Sequence, residues 1–119
     1  MSIPYALIAA LILVESGGNN AAIGDNGKAH GCLQIRQAVL TDYRFLTGER
    51  ITLEQCHDPL VSVAVCSAYL THWTNPKFLG HEPTLEDAAR IWNGGPTGWK
   101  KEATLVYWRK VKAVLDKTP

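Results

Sequence analysis

One carboxylate in the sequence stands out because of its surroundings. Glu15 follows a stretch from Ile3 to Val14 that contains no charged residue. If that stretch is helical, Glu15 lies at the C-terminal end of the helix, where burial and the negative end of the helix dipole both disfavour the ionised carboxylate. A carboxyl group that stays protonated near neutral pH suits general acid catalysis, such as cleavage of a glycosidic bond. The alternative is a carboxylate that points into solvent at a frayed helix end.

Short motifs follow in an order that is typical of one family of enzymes. They occupy residues 15–19 (Glu-Ser-Gly-Gly-Asn), 24–35 (a glycine-rich run ending in Gly-Cys-Leu-Gln-Ile), 68–70 (Ala-Tyr-Leu), 91–96 (Ile-Trp-Asn-Gly-Gly-Pro) and 104–111 (beginning Thr-x-x-Tyr). In this order they resemble the Glu-Ser-Gly, Gly-Leu-Met-Gln, middle-helix, Ala-Tyr-Asn-Ala-Gly-Pro and Thr-x-x-Tyr motifs of the catalytic domain of soluble lytic transglycosylases. The first two are also similar to goose-type lysozymes. The resemblance extends over nearly the whole chain.

The resemblance implies a role for each matching residue. Glu15 matches the family's catalytic acid, which protonates the leaving oxygen of the glycosidic bond. Gln34 matches a glutamine that hydrogen-bonds the sugar near the cleavage point, and Asn93 matches the asparagine that holds the substrate N-acetyl group. Tyr107 matches a tyrosine whose hydroxyl hydrogen-bonds the catalytic carboxyl group. Ser16, which is adjacent to the acid, is expected to line the same site.

Several of these residues also have a purely structural interpretation. Gln34 is suited to capping the second helix, Asn93 to ending a helix beside glycine, and Tyr107 to packing in the core. Asp25 is a candidate second carboxylate by analogy with the Gly-Asp run of goose-type lysozymes, but an aspartate in a Gly/Asn turn more often shapes its own loop. Trp99, in a Gly/Pro-rich loop, is the best of the four tryptophans for stacking on a sugar, with core packing as the alternative.

The sequence also departs from the family pattern. Cys32 replaces the usual methionine, and Trp92 stands where the family has tyrosine, so any hydroxyl contact from that position is lost. Arg36 follows Gln34-Ile35 where goose-type enzymes place an aspartate. The glycines of residues 24–31 are expected to let the backbone approach the sugar closely.

Hydrophobic periodicity predicts the helices that position these residues. The expected fold class is mainly α, a compact single-domain lysozyme-like fold with a small irregular or β-containing lobe near residues 18–32. One catalytic domain is expected to span residues 1–119. The first helix, which has Pro4 in its first turn, is apolar on all sides, so we expect other helices to cover it. The expected helices run from Tyr5 to Val14, from about Gln34 to Leu46, from Asp58-Pro59 past Tyr69, from the Thr84/Asp87 capping box to Asn93, and from about Thr104 to Leu115.

Composition excludes several classes of protein. The chain has 119 residues, of which 46% are hydrophobic, and a net charge of +1, so it offers no basic surface for nucleic acid. The apolar run is too short to span a bilayer. Four scattered histidines and three cysteines show no zinc-site spacing, so we expect neither a metal nor a cofactor. Buried reduced thiols are favoured over a disulfide between Cys56 and Cys66, and a monomer is expected.

The resemblance implies a bacteriolytic peptidoglycan glycosidase. Its expected partners are glycan strands, cleaved at the β-1,4 bond between N-acetylmuramic acid and N-acetylglucosamine. A lytic transglycosylase leaving 1,6-anhydromuramoyl ends is favoured over a lysozyme, because Glu15 is the single secure carboxylate. A non-catalytic glycan-binding module is the remaining alternative.

Such an enzyme acts at the bacterial cell wall, in the periplasm or outside the cell. The sequence shows no signal peptide. We therefore expect synthesis in the cytoplasm and release by another route, as for an endolysin, or a leader that is absent from this chain.

Overall fold

A computed structural model describes residues 1–117 of the chain, so the last two positions of the predicted 1–119 domain lie outside the described residues. The fold is mainly helical, as predicted. The helices and strands are α1 (Tyr5–Ser16), β1 (Ile23–Gly24), β2 (Ala29–His30), α2 (Gln37–Thr47), α3 (Pro59–Trp73), α4 (Pro76–Leu79), α5 (Leu85–Gly94) and α6 (Leu105–Lys117). Short 3-10 turns occupy Asp25–Gly27, Glu54–His57, Gly98–Lys100 and Glu102–Thr104.

The described chain divides into two compact units. One contains Met1–Leu11 and the chain from Leu70 onward, and the other is Ile12–Tyr69. Within residues 1–117, no helix has both the length and the apolar composition needed to cross a membrane.

Helix α1 is less enclosed than its sequence predicts. Leu7 and Leu11 are fully buried, but Tyr5 is 82% exposed and Leu13 is 54% exposed. The prediction that other helices cover α1 on every side is therefore wrong. An apolar side chain is not necessarily buried, because much of the accessible surface of a folded protein is apolar. Pro4 precedes the helix, and its carbonyl accepts hydrogen bonds from the backbone N–H groups of Leu7 and Ile8.

The predicted helix starts at Asp58 and Thr84 are confirmed. The carboxylate of Asp58 accepts a hydrogen bond of 2.9 Å from the backbone N–H of Leu60. Thr84 and Asp87 form the reciprocal capping box, in which each side chain accepts from the other residue's backbone N–H. These local signals succeed because the capping atoms and the backbone groups they satisfy lie within one turn.

Helix α2 begins three residues later than predicted. Gln34 has a left-handed backbone conformation with φ of 52°. Ile35 forms a bridge with His30, and its N–H and C=O both bond to the backbone of that residue at 3.0 Å. This tertiary pairing takes the Gln34–Ile35 backbone away from the helix.

The predicted β-containing lobe is confirmed as a small hairpin. Strands β1 and β2 pair antiparallel, with Ile23 opposite His30 and Gly24 opposite Ala29. The connection contains two consecutive non-glycine residues in the left-handed region, Asp25 with φ of 50° and Asn26 with φ of 55°. Such residues cost free energy and persist where the surrounding structure holds them.

The three cysteine thiols, Cys32, Cys56 and Cys66, are free and buried, as favoured from the sequence. Burial raises the pKa of each of them, and the pKa of Cys56 rises to about 11, with a smaller contribution from Cys32. Burial and, secondarily, the charge of Asp42 raise the pKa of Tyr69 to about 12. All these groups belong to the Ile12–Tyr69 unit, whose interior therefore favours their neutral forms.

We expect the free energy of unfolding to fall as the pH rises above about 9. In the absence of burial, a cysteine thiol titrates near 9.0 and a tyrosine near 10.0. The raised pKa values of Cys56 and Tyr69 therefore contribute stability that is complete below about pH 9 and is lost as the pH rises through about 11 and 12. Each shift corresponds to about 3 kcal/mol.

Urea unfolding at about pH 8, 10 and 11 measures this loss of stability. The Cys56→Ala variant is the control, because it should lose less stability than wild type between about pH 9 and 11. Equal losses in the two proteins would contradict the assignment to Cys56.

The other unit contains a buried arginine that the sequence did not reveal. Arg90 is 9% exposed, and its guanidinium donates to Thr104 Oγ1 at 2.8 Å, to Glu86 at 2.7 Å and to the Lys101 carbonyl at 2.9 Å. A Cβ atom on Gly98 would lie 2.1 Å from the Arg90 carbonyl oxygen. Arg90 thus connects α5 to the two 3-10 turns that precede α6.

Candidate active site

Glu15 occupies the next-to-last position of α1 and is half-buried. Its charge is one of the causes, after burial, that raise the pKa of the buried Cys66 thiol on α3. The carboxyl group therefore lies close to the protein interior, at the end of the helix where the dipole disfavours a negative charge. The proximity of Cys66 was not foreseen, because the two residues lie 51 positions apart in the sequence and no local pattern connects them.

Ser16 joins the end of α1 to the segment that contains Gln34. Its hydroxyl donates to the Cys32 carbonyl at 2.7 Å and accepts a hydrogen bond from the Gly18 N–H at 3.2 Å. This side chain therefore positions the backbone beside Glu15, a structural role in addition to the site-lining role expected from the sequence.

The side chain of Gln34 is held by the backbone of the hairpin lobe. Its Nε2 donates to the carbonyls of Ala22 at 3.2 Å and Gly31 at 3.0 Å. Gln34 does not cap α2, because Arg36 occupies the N-cap position. Gln34 Oε1 lies against Gly24, and among residues 1–117 no group donates a hydrogen bond to it, so its capacity to accept one is unused.

Asp25 takes part in an exposed ion pair. Its carboxylate lies 3.1 Å from the guanidinium of Arg36, and the two side chains are 41% and 62% exposed. An exposed pair of this kind contributes roughly 0–1 kcal/mol. The Asp25 carbonyl also accepts from the Lys28 N–H within the turn. This geometry agrees with the loop-shaping interpretation of Asp25, although the carboxylate stays accessible to solvent.

At two glycines of the 24–31 segment, other atoms of the protein occupy the space in which a Cβ atom would lie. A Cβ on Gly24 would lie 2.3 Å from Gln34 Oε1, and a Cβ on Gly31 would lie 2.1 Å from the Cys56 carbonyl oxygen. Nothing lies within 4 Å of the equivalent position on Gly27. At Gly24 and Gly31 this space is therefore taken by groups of the chain itself, and the close approach of a sugar to this segment stays a prediction.

Two histidines form a chain of hydrogen bonds across the lobe. His30 Nδ1 lies 3.0 Å from His57 Nε2, and the rings are perpendicular. The outer nitrogens lie beside backbone carbonyls, His30 Nε2 beside that of Gly27 at 2.9 Å and His57 Nδ1 beside that of Asn20 at 2.8 Å. Because two neutral imidazole rings carry two N–H protons, they can make two of these three contacts as hydrogen bonds at a time, and the tautomers decide which two. The pair thereby connects the loop after α1, the hairpin turn and the segment before α3. The sequence suggested only scattered histidines, since these two are 27 residues apart.

Asn93 and Tyr107 belong to the unit that contains α5 and α6. Asn93 is exposed in the last turn of α5, and its amide has no hydrogen-bond partner among the described residues. The next residue, Gly94, accepts a hydrogen bond of 2.8 Å from the Lys101 ammonium through its carbonyl. Tyr107 is half-buried in the first turn of α6. Asn93 is therefore available to a ligand, and Tyr107 is not a fully buried core residue.

Trp99 is half-buried in the 3-10 turn Gly98–Lys100 of the same unit. Its ring makes an edge contact with His81 at 5.2 Å between centroids, and the Lys100 ammonium lies 5.6 Å from the ring centroid. A sugar stacking on Trp99 would use the remaining face of the ring or displace the flexible lysine.

Within the Ile12–Tyr69 unit, the hydrogen bond from Ser16 to Cys32 brings the backbone beside Glu15 to the segment that carries Gln34. Asp25 is held separately, on the hairpin turn and against Arg36. The described residues contain no group of three or more His, Cys, Asp or Glu side chains able to hold a metal ion.

Comparison with known proteins identifies the family. The chain is similar in structure to a chain in the crystal structure of Aeromonas hydrophila PliI in complex with Meretrix lusoria lysozyme, with a TM-score of 0.78 and 22% sequence identity. The match covers 93% of this chain and 89% of that chain, and it is evidence for the fold alone. The family model described as Transglycosylase SLT domain matches residues 1–114. This chain therefore belongs to the transglycosylase SLT domain family.

Proposed function

We propose that the protein is a lytic transglycosylase that cleaves the β-1,4 bond between N-acetylmuramic acid and N-acetylglucosamine in peptidoglycan. The observation that carries the proposal is the position of Glu15. In a chain of this family, it is half-buried at the C-terminal end of an apolar helix, close enough to the buried Cys66 for its charge to act on that thiol. A carboxyl group at this position is the kind of proton donor that cleavage of a glycosidic bond requires.

The proposed reaction has two steps and uses one carboxyl group. In the first step, Glu15 donates its proton to the glycosidic oxygen while the N-acetyl oxygen of the muramoyl residue attacks the anomeric carbon and the glycosidic C–O bond breaks. In the second step, the ionised Glu15 takes the proton of the muramoyl 6-hydroxyl as its oxygen bonds to the anomeric carbon and the N-acetyl oxygen leaves. The product has a 1,6-anhydromuramoyl end, and Glu15 is protonated again.

The other site residues are proposed to bind substrate or to support the acid. Gln34 would accept a hydrogen bond from the sugar through Oε1, an atom to which no group among residues 1–117 donates. The exposed amide of Asn93 would bind the N-acetyl group, and Tyr107 would hydrogen-bond the catalytic carboxyl. The roles of Asn93 and Tyr107 rest on the family resemblance. Trp99 is the proposed stacking platform for a sugar ring.

A lysozyme that hydrolyses the same bond is the second candidate, because Asp25 remains 41% exposed and accessible to water. An inverting hydrolase needs a second carboxylate as the base that activates water. The Asp25 carboxylate already lies 3.1 Å from the Arg36 guanidinium, in an exposed ion pair on the hairpin turn. We therefore base the proposed mechanism on Glu15 alone, which suits the transglycosylase.

We propose that residues 1–119 act as one catalytic domain, as a monomer, on glycan strands of the bacterial cell wall. The test is digestion of purified peptidoglycan by the wild-type protein, with mass spectrometry of the soluble products. Muramoyl ends lacking one water molecule are expected. Reducing ends would support the lysozyme and direct attention to Asp25. No products from a folded protein would support a non-catalytic glycan-binding module.

A further inference from the structure

The Ile12–Tyr69 unit contains a groove whose lining includes none of the candidate catalytic or substrate-binding residues. Of the residues described above for the hairpin lobe, His30 lines it. Its volume is about 1150 Å³, and it is lined by one face of α2 and by residues 50–54. Leu40, which is 2% exposed, and the half-buried Ile51 and Leu53 form its apolar part. A groove of this volume accommodates a ligand of several residues.

Two cations and one carboxylate line the same groove. Arg44 and Arg50 are exposed, and neither guanidinium has an ion-pair or hydrogen-bond partner among residues 1–117. By contrast, Arg36 and Arg90 are both paired with carboxylates. Glu54 is the acidic residue of the lining. Unpaired guanidiniums beside an apolar surface are well suited to bidentate binding of carboxylates.

An exposed aromatic ring adds apolar surface to the groove. Phe45 lines the groove and is 87% exposed, and the adjacent Leu46 is 38% exposed. Lone exposed apolar residues are common, but this phenylalanine lines the same groove as two unpaired arginines, and aromatic and arginine side chains are enriched at binding interfaces.

We propose that this groove binds the peptide part of peptidoglycan, a short peptide that carries carboxylates and an ammonium group. Arg44 and Arg50 would bind two carboxylates, Glu54 the ammonium group, and Phe45 with Leu40 the alkyl side chains. The charge pattern of the groove is complementary to such a peptide, whereas neutral glycan carries no negative charge to pair with the arginines. The identity of the peptide rests on the proposed function, but its binding does not depend on catalysis.

The experiment uses the Glu15→Gln protein, in which loss of the acid is expected to slow any cleavage during the measurement. The probes are the free tetrapeptide L-alanyl-γ-D-glutamyl-meso-diaminopimelyl-D-alanine, the same peptide with amidated carboxylates, and the N-acetylglucosamine tetramer. Isothermal titration calorimetry is expected to detect binding of the free peptide, and this binding should be weaker at high salt than at low salt. Amidation of the peptide should weaken binding about tenfold or more.

Replacing both arginines, as Arg44→Gln with Arg50→Gln, is expected to weaken peptide binding about tenfold or more and to leave the affinity for the tetramer unchanged. Arg109→Gln is the matched control, because Arg109 is an exposed arginine on α6 outside the groove. An equal affinity of the double variant and the control for the peptide would overturn the proposal, as would equal binding of free and amidated peptide. If the protein binds the peptide but the wild type cleaves no peptidoglycan, the groove is a peptide-binding site and the proposed enzymatic activity is contradicted.

Discussion

Replacing Glu15 with glutamine is expected to reduce the rate of peptidoglycan cleavage by about 10²–10⁴-fold or more. Glutamine keeps the size of the side chain but has no proton to give to the glycosidic oxygen and cannot take one from the muramoyl hydroxyl. Both proposed steps therefore lose the same group. The rate of release of soluble muropeptides from purified cell walls measures the effect.

The matched control for this prediction is Glu49→Gln. Glu49 is also a carboxylate close to the C-terminal end of a helix, but it is exposed, just beyond α2. The Glu49→Gln protein should cleave peptidoglycan at the wild-type rate. A Glu15→Gln protein that cleaves cell walls as fast as the Glu49→Gln protein would contradict the role of Glu15 as catalytic acid.

A second measurement on Glu15→Gln reports on the geometry without using activity. The charge of Glu15 contributes to the raised pKa of Cys66, after burial and ahead of Cys32. Removing that charge should therefore lower the pKa of Cys66, while burial keeps it above the ordinary value. Thiolate absorbance during an alkaline titration follows this change, with the Cys66→Ala protein identifying the signal.

Replacing Gly31 with alanine is expected to destabilise the protein by about 3–5 kcal/mol. Gly31 has a φ of +82°, where an L-residue costs roughly 1–2 kcal/mol. The added Cβ would also lie 2.1 Å from the carbonyl oxygen of Cys56 and 3.3 Å from Ser62 Oγ. That carbonyl accepts a buried hydrogen bond of 2.6 Å from Ser62, so the backbone cannot move away without weakening the bond.

Gly27→Ala separates the two causes. Gly27 has a φ of +87°, close to that of Gly31, but nothing lies within 4 Å of its missing Cβ. The Gly27→Ala protein should therefore lose only the stability that the backbone conformation costs, roughly 1–2 kcal/mol. Urea unfolding followed by tryptophan fluorescence compares the two variants with wild type. If Gly31→Ala and Gly27→Ala lose the same stability, the close contact with Cys56 does not constrain this backbone.

Much of the helical architecture follows from the sequence alone. The starts at Asp58 and Thr84 were predictable because a capping side chain and the N–H group it satisfies are separated by only two or three residues. The ordered motifs also indicated the family and singled out Glu15. Hydrophobic periodicity, in contrast, could not show that Tyr5 and Leu13 stay exposed, because it records polarity and not which neighbours are present.

Tertiary structure decided the surroundings of the candidate acid and the pairings within the hairpin lobe. The Cys66 thiol near Glu15, the His30–His57 pair, the Ser16 bond to Cys32 and the late start of α2 all depend on residues that are distant in the chain or paired across a turn. Capping and periodicity act within a few residues, and so they can be read from the sequence. Desolvation and hydrogen bonding at a site depend on which distant segments pack together, and that is settled only when the whole chain folds.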